Sequence, residues 1–405
     1  MAQPRQPLEI IRDLVGTTGR TDPYPRYELL RAHGPVVRVR PGLTVVVGYA
    51  ECDAALRDNR LRVQDGASYD SIYPDWREHP ALCAYIDSML YRNPPDHARM
   101  RRLVSGGFTP RRVNGLRPAI EQLTDRLLDQ LAEAGGAGTP VDFIAEFASR
   151  LPIAVISALL GVPEHDQAWF RRIAADVTIA LEGITNQDAL AVADEAMQDL
   201  GDYFVALIER RRPEPADDVV SALVHSPAER LSEQELVANM MLLLTAGFET
   251  TSFLLGHGLL LALQHRQHAI RLRAEPGFAV GYVEETLRFE APVQATSRWA
   301  ATELTLLGNP VPAGTKVVLI LGAANRDPRR FPDPDRFDPD RGELQPLSFG
   351  AGSHFCLGAP LSRMEAQIAL PRLLRRFPKL ALAGPPLRRD TWVGRGLDEL
   401  TIRLD

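Results

Sequence analysis

Apolar residues recur at three- and four-residue spacing over most of the chain, which is typical of amphipathic helices. The clearest patterns span Leu116 to Leu131, Ile144 to Leu160 and Leu190 to Arg211. They lie in a long region, from about Glu51 to Leu272, in which helical spacing dominates. A last helix is predicted from about Leu357 to Phe377. The pattern therefore predicts a mainly α protein.

Short strands are predicted on both sides of the helical region. Val36 to Val39 and Leu43 to Val47 flank a Pro-Gly pair and predict a β-hairpin. Leu304 to Leu307 and Lys316 to Leu321 look like two strands across a Pro-Ala-Gly turn. The stretch from Asn325 to Arg341 is too rich in proline for either a helix or a strand. The predicted class is therefore mainly α with minor β.

One apolar stretch, Met240 to Leu263, is long enough to suggest a membrane span. Glu249 and His257 lie inside it, and because an intramembrane charge is costly, a buried helix in a soluble core is the better interpretation. Ser232 followed three residues later by Glu235 predicts a capping box at the start of this helix. The helix is expected to be long enough to cross the whole molecule.

Composition is that of a globular protein in a reducing compartment. Of 405 residues, 45% are hydrophobic and 24% are charged, so a sizeable core can form. The net charge of −6 argues against a protein held to nucleic acid by phosphate neutralisation. Three cysteines, and an N-terminus without a signal pattern, predict a cytoplasmic protein without a membrane anchor. With no repeat and no linker between two cores, one domain is expected over residues 1–405.

A glycine-rich segment around Cys356 is the strongest candidate for chemistry. Gly350, Gly352 and Gly358 allow a tight loop, and the cysteine lies where that loop meets the last predicted helix. A helix N-terminus stabilises a thiolate, and a thiolate held by backbone donors is a good ligand for haem iron. A buried structural cysteine is the alternative, and glycines at these offsets argue against it. A zinc site is disfavoured because the other two cysteines are distant in the sequence.

A second candidate lies inside the long apolar helix, at Ala246-Gly247-Phe248-Glu249-Thr250-Thr251. Its small residues permit close approach to the backbone, while the glutamate and threonines place polar atoms between apolar flanks. The alternative is a helix kink in which a threonine hydroxyl bonds back to the backbone.

The cysteine segment resembles the Phe-Gly-x-Gly-x-His-x-Cys-x-Gly signature of the cytochrome P450 family. The matching residues are Phe349, Gly350, Gly352, His354, Cys356 and Gly358. Other landmarks of the family precede this segment, in the family's order along the chain. They are the block from Asn93 to Arg101, which is similar to the bacterial haem-contacting helix, the oxygen-binding motif at Ala246 to Thr250, the Glu-x-x-Arg motif at Glu285-Thr286-Leu287-Arg288, and a meander at Asp335-Arg336-Phe337. The resemblance is to soluble bacterial members, of actinobacterial type.

The resemblance implies a single-domain cytochrome P450 fold, with haem b between the long oxygen-binding helix and the C-terminal cysteine-loop helix. Cys356 is then the axial iron ligand. Glu285 and Arg288 form a buried structural pair, although an ordinary surface pair is the alternative on spacing alone. The residues expected around the haem are His97, Arg101, Arg298, His354, Phe349, Gly350, Gly358, Ala246 and Gly247. The arginines could instead be solvated surface residues.

The resemblance also assigns catalytic and substrate-binding positions. Glu249 and Thr250 form the acid–alcohol pair that delivers protons to bound dioxygen, and Gly247 makes room for the oxygen molecule. The substrate pocket is expected from residues 61–90, about 169–185 and Pro292 to Thr296. Met89, Phe248, Val293 and Gln294 are the named pocket residues, and the first region adds Tyr69, Tyr73, Trp76 and Tyr85. For each of these side chains, ordinary packing is the alternative.

The implied activity is that of a haem-thiolate monooxygenase acting on a bulky, largely apolar small molecule, by hydroxylation or epoxidation in polyketide- or macrolide-like, antibiotic-type secondary metabolism. Multistep oxidative cyclisation or coupling, and a haem-based sensor or carrier, are the alternative functions.

Electrons are expected from NAD(P)H through ferredoxin reductase and ferredoxin, because the sequence carries no flavin or nicotinamide fingerprint. An acidic ferredoxin could dock on a basic patch at Arg99, Arg102, Arg111 and Arg112, or that patch could be a solvated face. The protein is expected to be a monomer.

Overall fold

The computed structural model describes residues 5–182, 187–226, 229–342 and 344–405. The chain forms two compact units. Unit 1 comprises Met1–Val63, Phe253–Cys356 and Leu373–Asp405, and unit 2 comprises Gln64–Ser252 and Leu357–Arg372. The mainly helical class with minor sheet is confirmed. The expectation of a single domain over residues 1–405 stays a prediction.

Helices make up most of the described chain. In chain order they are α1 Pro7–Val15, α2 Thr17–Thr21, α3 Tyr24–Arg31, α4 Tyr49–Arg57, α5 Gly66–Ile72, α6 Pro80–Asp87, α7 Asp96–Ser105, α8 Pro110–Gly115, α9 Arg117–Ala134, α10 Arg150–Leu160, α11 Gln167–Thr178, α12 Gln187–Arg211, α13 Val219–Val224, α14 Glu233–Gln264, α15 Arg266–Ala274, α16 Phe278–Phe289, α17 Leu321–Ala324 and α18 Ala359–Arg376. The predicted helices at 116–131, 190–211 and 357–377 are confirmed as α9, α12 and α18. The prediction at 144–160 holds for α10, which a short π-helical segment at Ile144–Ala148 precedes.

The strands are short. They are β1 Val36–Arg40, β2 Leu43–Val46, β3 Leu61–Arg62, β4 Val141–Asp142, β5 Ala295–Ala300, β6 Leu304–Leu306, β7 Asn309–Val311, β8 Lys316–Ile320, β9 Ala381–Leu382, β10 Leu387–Arg388, β11 Leu397–Glu399 and β12 Thr401–Arg403. Unit 1 holds a five-stranded sheet of order β1-β2-β8-β5-β3. Strand β8 pairs in parallel with β2 and antiparallel with β5, which places Arg298 opposite Val317.

One predicted strand pairing is wrong. The hairpin at β1 and β2 is confirmed, with Val37 opposite Val45. The two later strands also form, but they do not pair across the Pro-Ala-Gly turn. Strand β6 pairs with β7 around Gly308, whose φ of +89° suits the tight turn, and β8 joins the five-stranded sheet instead. The reason is burial: Val317, Leu319 and Ile320 of β8 are fully buried in that sheet, as is typical of a strand paired on both sides.

Helix α14 confirms the predicted start and length of the long apolar helix. It runs for 32 residues from Glu233, and the capping box is complete: Ser232 N donates to Glu235 Oε2 at 2.9 Å and Glu235 N donates to Ser232 Oγ at 3.1 Å. By length and composition the helix could span a membrane, but most of its apolar stretch is buried inside the protein. That burial favours the predicted core helix.

The core of unit 1 lies against its sheet. One cluster packs the N-terminal helices on one side of the strands and consists of Ile10, Leu14, Tyr27, Leu30, Val45, Val47, Ile320 and Ala323. Each fully buried aliphatic side chain of this kind contributes about 1.5–3 kcal/mol. The packing holds β2 and β8 in place, and β8 pairs with β5, the strand that carries Arg298.

Candidate functional site

The cysteine loop of unit 1 is closed by its own backbone. A short 3₁₀ turn at Leu347–Phe349 ends at Gly350, whose φ of +70° reverses the chain. The backbone N–H of Cys356 then donates to the carbonyl of Phe349 at 2.9 Å. Cys356 is half-buried, three residues before the first residue of α18. The loop therefore carries the sulfur atom of Cys356 at a point where the backbone bonds back to Phe349.

Gly352 is the position at which only glycine fits in this loop. Its φ is +69°, and a Cβ built on it would lie 2.3 Å from the carbonyl oxygen of Leu56 in α4. A carbonyl of the helix backbone cannot move aside as a flexible side chain would. The glycine spacing noted in the sequence thus reflects both an unusual backbone conformation and close approach to α4.

Two further predicted haem contacts lie in unit 1. Arg298 on β5 is buried, and its Nη1 donates to Ser297 O at 2.8 Å and to Thr296 Oγ1 at 3.2 Å. This burial excludes the alternative of a solvated surface arginine. His354 is half-buried in the 3₁₀ turn Gly352–His354 of the cysteine loop. A buried guanidinium is a strong hydrogen-bond donor for a carboxylate.

The Glu285–Arg288 pair is fully buried in unit 1, as the family resemblance implied. Arg288 Nε and Nη2 donate to the two carboxylate oxygens of Glu285 at 2.7 and 2.8 Å. The guanidinium also donates to the carbonyls of Asn325, Pro334 and Arg336, between 2.8 and 3.2 Å. Arg288 therefore helps to fasten the proline-rich 325–341 stretch onto α16, together with Glu285, which accepts from Asp338 N and Arg341 Nε at 2.8 and 3.1 Å.

In unit 2, His97 and Arg101 lie one turn apart on α7, His97 buried and Arg101 half-buried. The neighbouring arginines behave differently from the basic patch expected from sequence. Arg99 pairs with Glu235, Arg102 with Glu229 and Arg112 with Asp217. Three of the four arginines thus have acidic partners, which reduces the net charge of that surface.

The centre of α14 carries the second motif. Thr250 Oγ1 donates to Ala246 O at 3.0 Å, the back-bonding that the kink alternative describes. Ala246 is exposed and Glu249 and Thr250 are half-buried, in contrast to the buried residues on either side. This part of the helix thus presents an accessible patch with a small side chain and two polar ones.

Gly247 has a packing role in the structure. A Cβ at this position would lie 2.9 Å from Cγ1 of Ile156 on α10, so the glycine allows α10 to pack closely on α14. Its predicted place beside a cofactor and dioxygen stays a prediction.

The structure gives the carboxylate of Glu249 a partner on another helix. Thr178 Oγ1, at the end of α11, donates to Glu249 Oε1 at 3.3 Å. Thr251 Oγ1 lies 3.0 Å from Ser362 Oγ of α18, and Ser362 N donates to the carbonyl of Gly358 at 2.9 Å. The motif helix is thereby tied to α11 and α18 within unit 2.

The four named pocket residues lie in different settings. Phe248 lines a small apolar cavity in unit 2, with Ile153, Phe170, Ile173, Val177, Leu200, Leu244 and Thr245. Met89 is buried, and its backbone N–H donates to Asn239 Oδ1 of α14 at 3.1 Å. Val293 is half-buried in unit 1 and forms a β-bridge with Gly394. Residues 183–185 of the predicted 169–185 pocket region lie outside the described residues.

Gln294 and the aromatic residues of the 61–90 region make internal contacts. Gln294 accepts from Tyr27 Oη at 2.8 Å and donates to Ala291 O at 2.7 Å. Trp76 Nε1 donates to Asp70 at 2.9 Å. The remaining contacts are the Tyr69 ring packed on Trp76, the Tyr73 hydroxyl 3.1 Å from His79 Nε2, and the Tyr85 hydroxyl 2.8 Å from Val177 O. Each of these polar groups already has a protein partner.

Comparison with known proteins places the whole chain in one family. The family described as Cytochrome P450 matches residues 4–281 and 278–391. The 6-deoxyerythronolide B hydroxylase of Saccharopolyspora erythraea is 38% identical over 98% of this chain and 100% of that protein. The cytochrome P450 monooxygenase PikC of Streptomyces venezuelae is 40% identical over 96% and 92%. The structure of the Bacillus subtilis bacillaene polyketide synthase cytochrome P450 PksS has a TM-score of 0.84 at 34% identity, covering 96% and 99%.

The chain belongs to the cytochrome P450 family. Membership implies a haem iron, a small-molecule substrate, dioxygen and redox partners. The described residues fit that cofactor. Unit 1 offers a single thiol on a loop closed by its backbone and a buried guanidinium suited to a propionate, and the accessible patch of α14 carries a small residue that a flat ring can approach.

Several contacting residues were not predicted from the sequence. The hydrogen bonds are those of Thr178 with Glu249, of Asn239 with the Met89 backbone, and of Tyr27 with Gln294. Asn239 carried a signal, since it is a polar residue in an apolar helical run. Thr178 and Tyr27 carried none, because their partners are 71 and 267 positions away.

Proposed function

We propose that this protein is a haem-thiolate monooxygenase, and the observation that carries the proposal is the closed loop that presents Cys356. The overall reaction consumes a substrate C–H or C=C bond, one dioxygen, two electrons and two protons, and yields an oxygenated product and one water. When bound, haem supplies the binding of dioxygen and its reductive cleavage, which an anionic sulfur ligand favours. Cys356 would hold the iron.

The protein groups around the cofactor have separate tasks. Arg298, His97, Arg101 and His354 would donate to the propionates, because carboxylates inside a largely apolar site require charge-assisted donors. Phe349, Gly350 and Gly358 would shape the loop around the cysteine, and Ala246 and Gly247 would lie against the ring. The Glu285–Arg288 pair holds unit 1 together and takes no part in the chemistry.

Proton supply would depend on two side chains of α14. Glu249 is half-buried and accessible enough to take a proton from solvent at its carboxylate, and Thr250 is the adjacent hydroxyl that can pass it on. Thr250→Ala and Glu249→Gln are expected to slow product formation while reductant is still consumed. A variant that keeps wild-type product per reductant would contradict this assignment.

The substrate is proposed to be a bulky, largely apolar secondary metabolite of the polyketide or macrolide kind. The support is the named activities of the relatives. Incubation of candidate compounds under ¹⁸O₂ tests the reaction type. One labelled oxygen per product indicates hydroxylation or epoxidation, whereas an unlabelled product indicates oxidative coupling.

Electrons are proposed to come from NAD(P)H through a ferredoxin reductase and a ferredoxin, delivered to a cytoplasmic monomer. Since three of the four arginines on the expected docking surface are paired with acids, we expect the reduction rate to depend only weakly on ionic strength. Stopped-flow reduction by a ferredoxin and by a flavodoxin, at low and high salt, tests both points. Sedimentation velocity tests the monomer.

The decisive experiment is the reduced carbon-monoxide difference spectrum of the purified protein. The red-shifted Soret band of a thiolate ligand is expected in the wild type and in Cys83→Ala, the matched control at a half-buried cysteine. It should be absent in Cys356→Ala. A histidine-like band in the wild type, or no bound haem, would refute the proposed function.

A further inference from the structure

The contact between Thr178 and Glu249 joins two helices at the proposed proton-delivery site. Thr178 is the last residue of α11, and its Oγ1 donates to Glu249 Oε1 at 3.3 Å. Both side chains are half-buried. At 3.3 Å this bond is longer than the usual range of about 2.5–3.0 Å for O–H···O, so it directs the carboxylate toward the end of α11 without holding it tightly.

The residue before Thr178 is held on two sides, which fixes the backbone from which the Thr178 side chain extends. The carbonyl of Val177 accepts a hydrogen bond from Tyr85 Oη of α6 at 2.8 Å. The Val177 side chain is buried and lines the same apolar cavity as Phe248 of α14. Burial raises the pKa of Tyr85 well above its usual value, so this phenol stays protonated and remains a donor.

A glutamate side chain has several rotamers, and a half-exposed one populates more than one of them unless a contact selects among them. Proton transfer requires the donor oxygen within hydrogen-bond reach of the acceptor, directly or through one water. A fixed hydroxyl on a neighbouring helix can select one rotamer in this way. The neighbouring Thr250 donates its hydroxyl to Ala246 O of its own helix, so its O–H is not directed at Glu249.

We infer that Thr178 is a positioning residue for Glu249, and that its hydroxyl keeps the carboxylate in the rotamer from which protons reach Thr250. The inference rests on the proposed monooxygenase function. It adds a residue outside the motif, on a different helix, whose removal leaves both Glu249 and Thr250 in place.

Thr178→Val and Thr178→Ser test this role, because valine matches the shape of threonine without the hydroxyl and serine keeps the hydroxyl. In Thr178→Val we expect product formed per NAD(P)H consumed to fall about three- to tenfold, with peroxide rising in compensation. Thr178→Ser should recover most of the loss. Thr178→Ala is a second hydroxyl-free variant if the valine protein folds poorly.

Two further measurements separate positioning from a purely structural effect. The infrared stretch of bound carbon monoxide, which needs no turnover, should broaden or split in Thr178→Val and stay single in Thr178→Ser. In a Glu249→Gln background, Thr178→Val should add no further loss of coupling.

Failure of the proposed role of Thr178 can be distinguished from failure of the proposed monooxygenase function. Thr178→Val with wild-type coupling and an unchanged carbon-monoxide band, or losses that add fully to those of Glu249→Gln, would overturn the role of Thr178 alone. A wild-type protein without the thiolate Soret band would overturn the proposed function and this role with it.

Discussion

The hydroxyl of Thr251 lies 3.0 Å from the hydroxyl of Ser362, which joins α14 to α18 inside unit 2. Both side chains are buried. Thr251 is the residue after Thr250 in the candidate oxygen-binding motif, and Ser362 lies one turn into the helix that follows the cysteine loop. This bond therefore ties the motif helix to the cysteine-loop helix.

Ser362→Ala is expected to lower the free energy of unfolding by about 1 kcal/mol, the usual contribution of one hydrogen bond of this kind. Urea denaturation of the wild type, Ser362→Ala, Thr251→Val and the double variant measures the coupling between the two side chains. Ser71→Ala, at an exposed serine of α5, is the control and should change stability very little. Fully additive losses in the double variant would show that the hydroxyls do not interact.

Gly352→Ala is expected to destabilise the protein far more than Gly308→Ala. Both glycines have positive φ, at +69° and +89°, so both variants bear the backbone strain of about 1–2 kcal/mol for a left-handed residue. Only at Gly352 would the new Cβ also meet a backbone carbonyl, that of Leu56 at 2.3 Å, whereas no atom lies within 4 Å at Gly308. Thermal unfolding and haem content of the two variants are the measurements. Equal losses would contradict the close approach to α4.

Arg288→Ala leaves the carboxylate of Glu285 buried without its main partner, and breaking a buried pair in this way costs about 3–5 kcal/mol. We expect little soluble protein, or a strongly lowered Tm. Arg57→Ala is the control: it breaks the pair with Asp53, in which Arg57 is 61% exposed, and should cost less than about 1 kcal/mol. Similar Tm values for the two variants would refute the view that Arg288 fastens the 325–341 stretch.

His257 predicts a loss of stability at acid pH. Its ring is fully buried in unit 1, near Glu290, Arg395 and Arg388, and both ring nitrogens lack a hydrogen-bond partner among the described residues. Burial lowers the pKa of His257 to about 4, from 6.5. Between these values the unfolded chain binds a proton that the folded protein does not, so stability falls as the pH drops from 6.5 to 4.

The expected size of this loss is on the order of 3 kcal/mol, at 1.36 kcal/mol per pKa unit. Urea unfolding of the wild type and His257→Gln over that pH range measures it, and the variant should lose less stability on acidification. His165→Gln, at an exposed histidine, is the control and should follow the wild type. Parallel curves for the wild type and His257→Gln would contradict the buried neutral histidine.

The features that were predicted correctly from the sequence depend mostly on contacts between residues a few positions apart. The start of α14 was predictable because Ser232 and Glu235 cap it through bonds that span three residues. The cysteine loop was predictable for a similar reason, since the bond that closes it joins Cys356 N to Phe349 O within an eight-residue segment. The strands that pair with β6 and with β8 were not predictable, because alternation of apolar residues indicates a strand but not which strand lies beside it.

By itself, the sequence determined the mainly helical class, the helix that carries Glu249 and Thr250, and the thiol loop of the cytochrome P450 signature. These features depend on residues a few positions apart, where backbone geometry leaves few alternatives. Only the tertiary structure decided that the arginines around α7 are paired with acids, that Gln294 is bound by Tyr27, and that Thr178 reaches Glu249. Those contacts join residues that are distant along the chain, and they follow from how helices and strands pack, which no local pattern encodes.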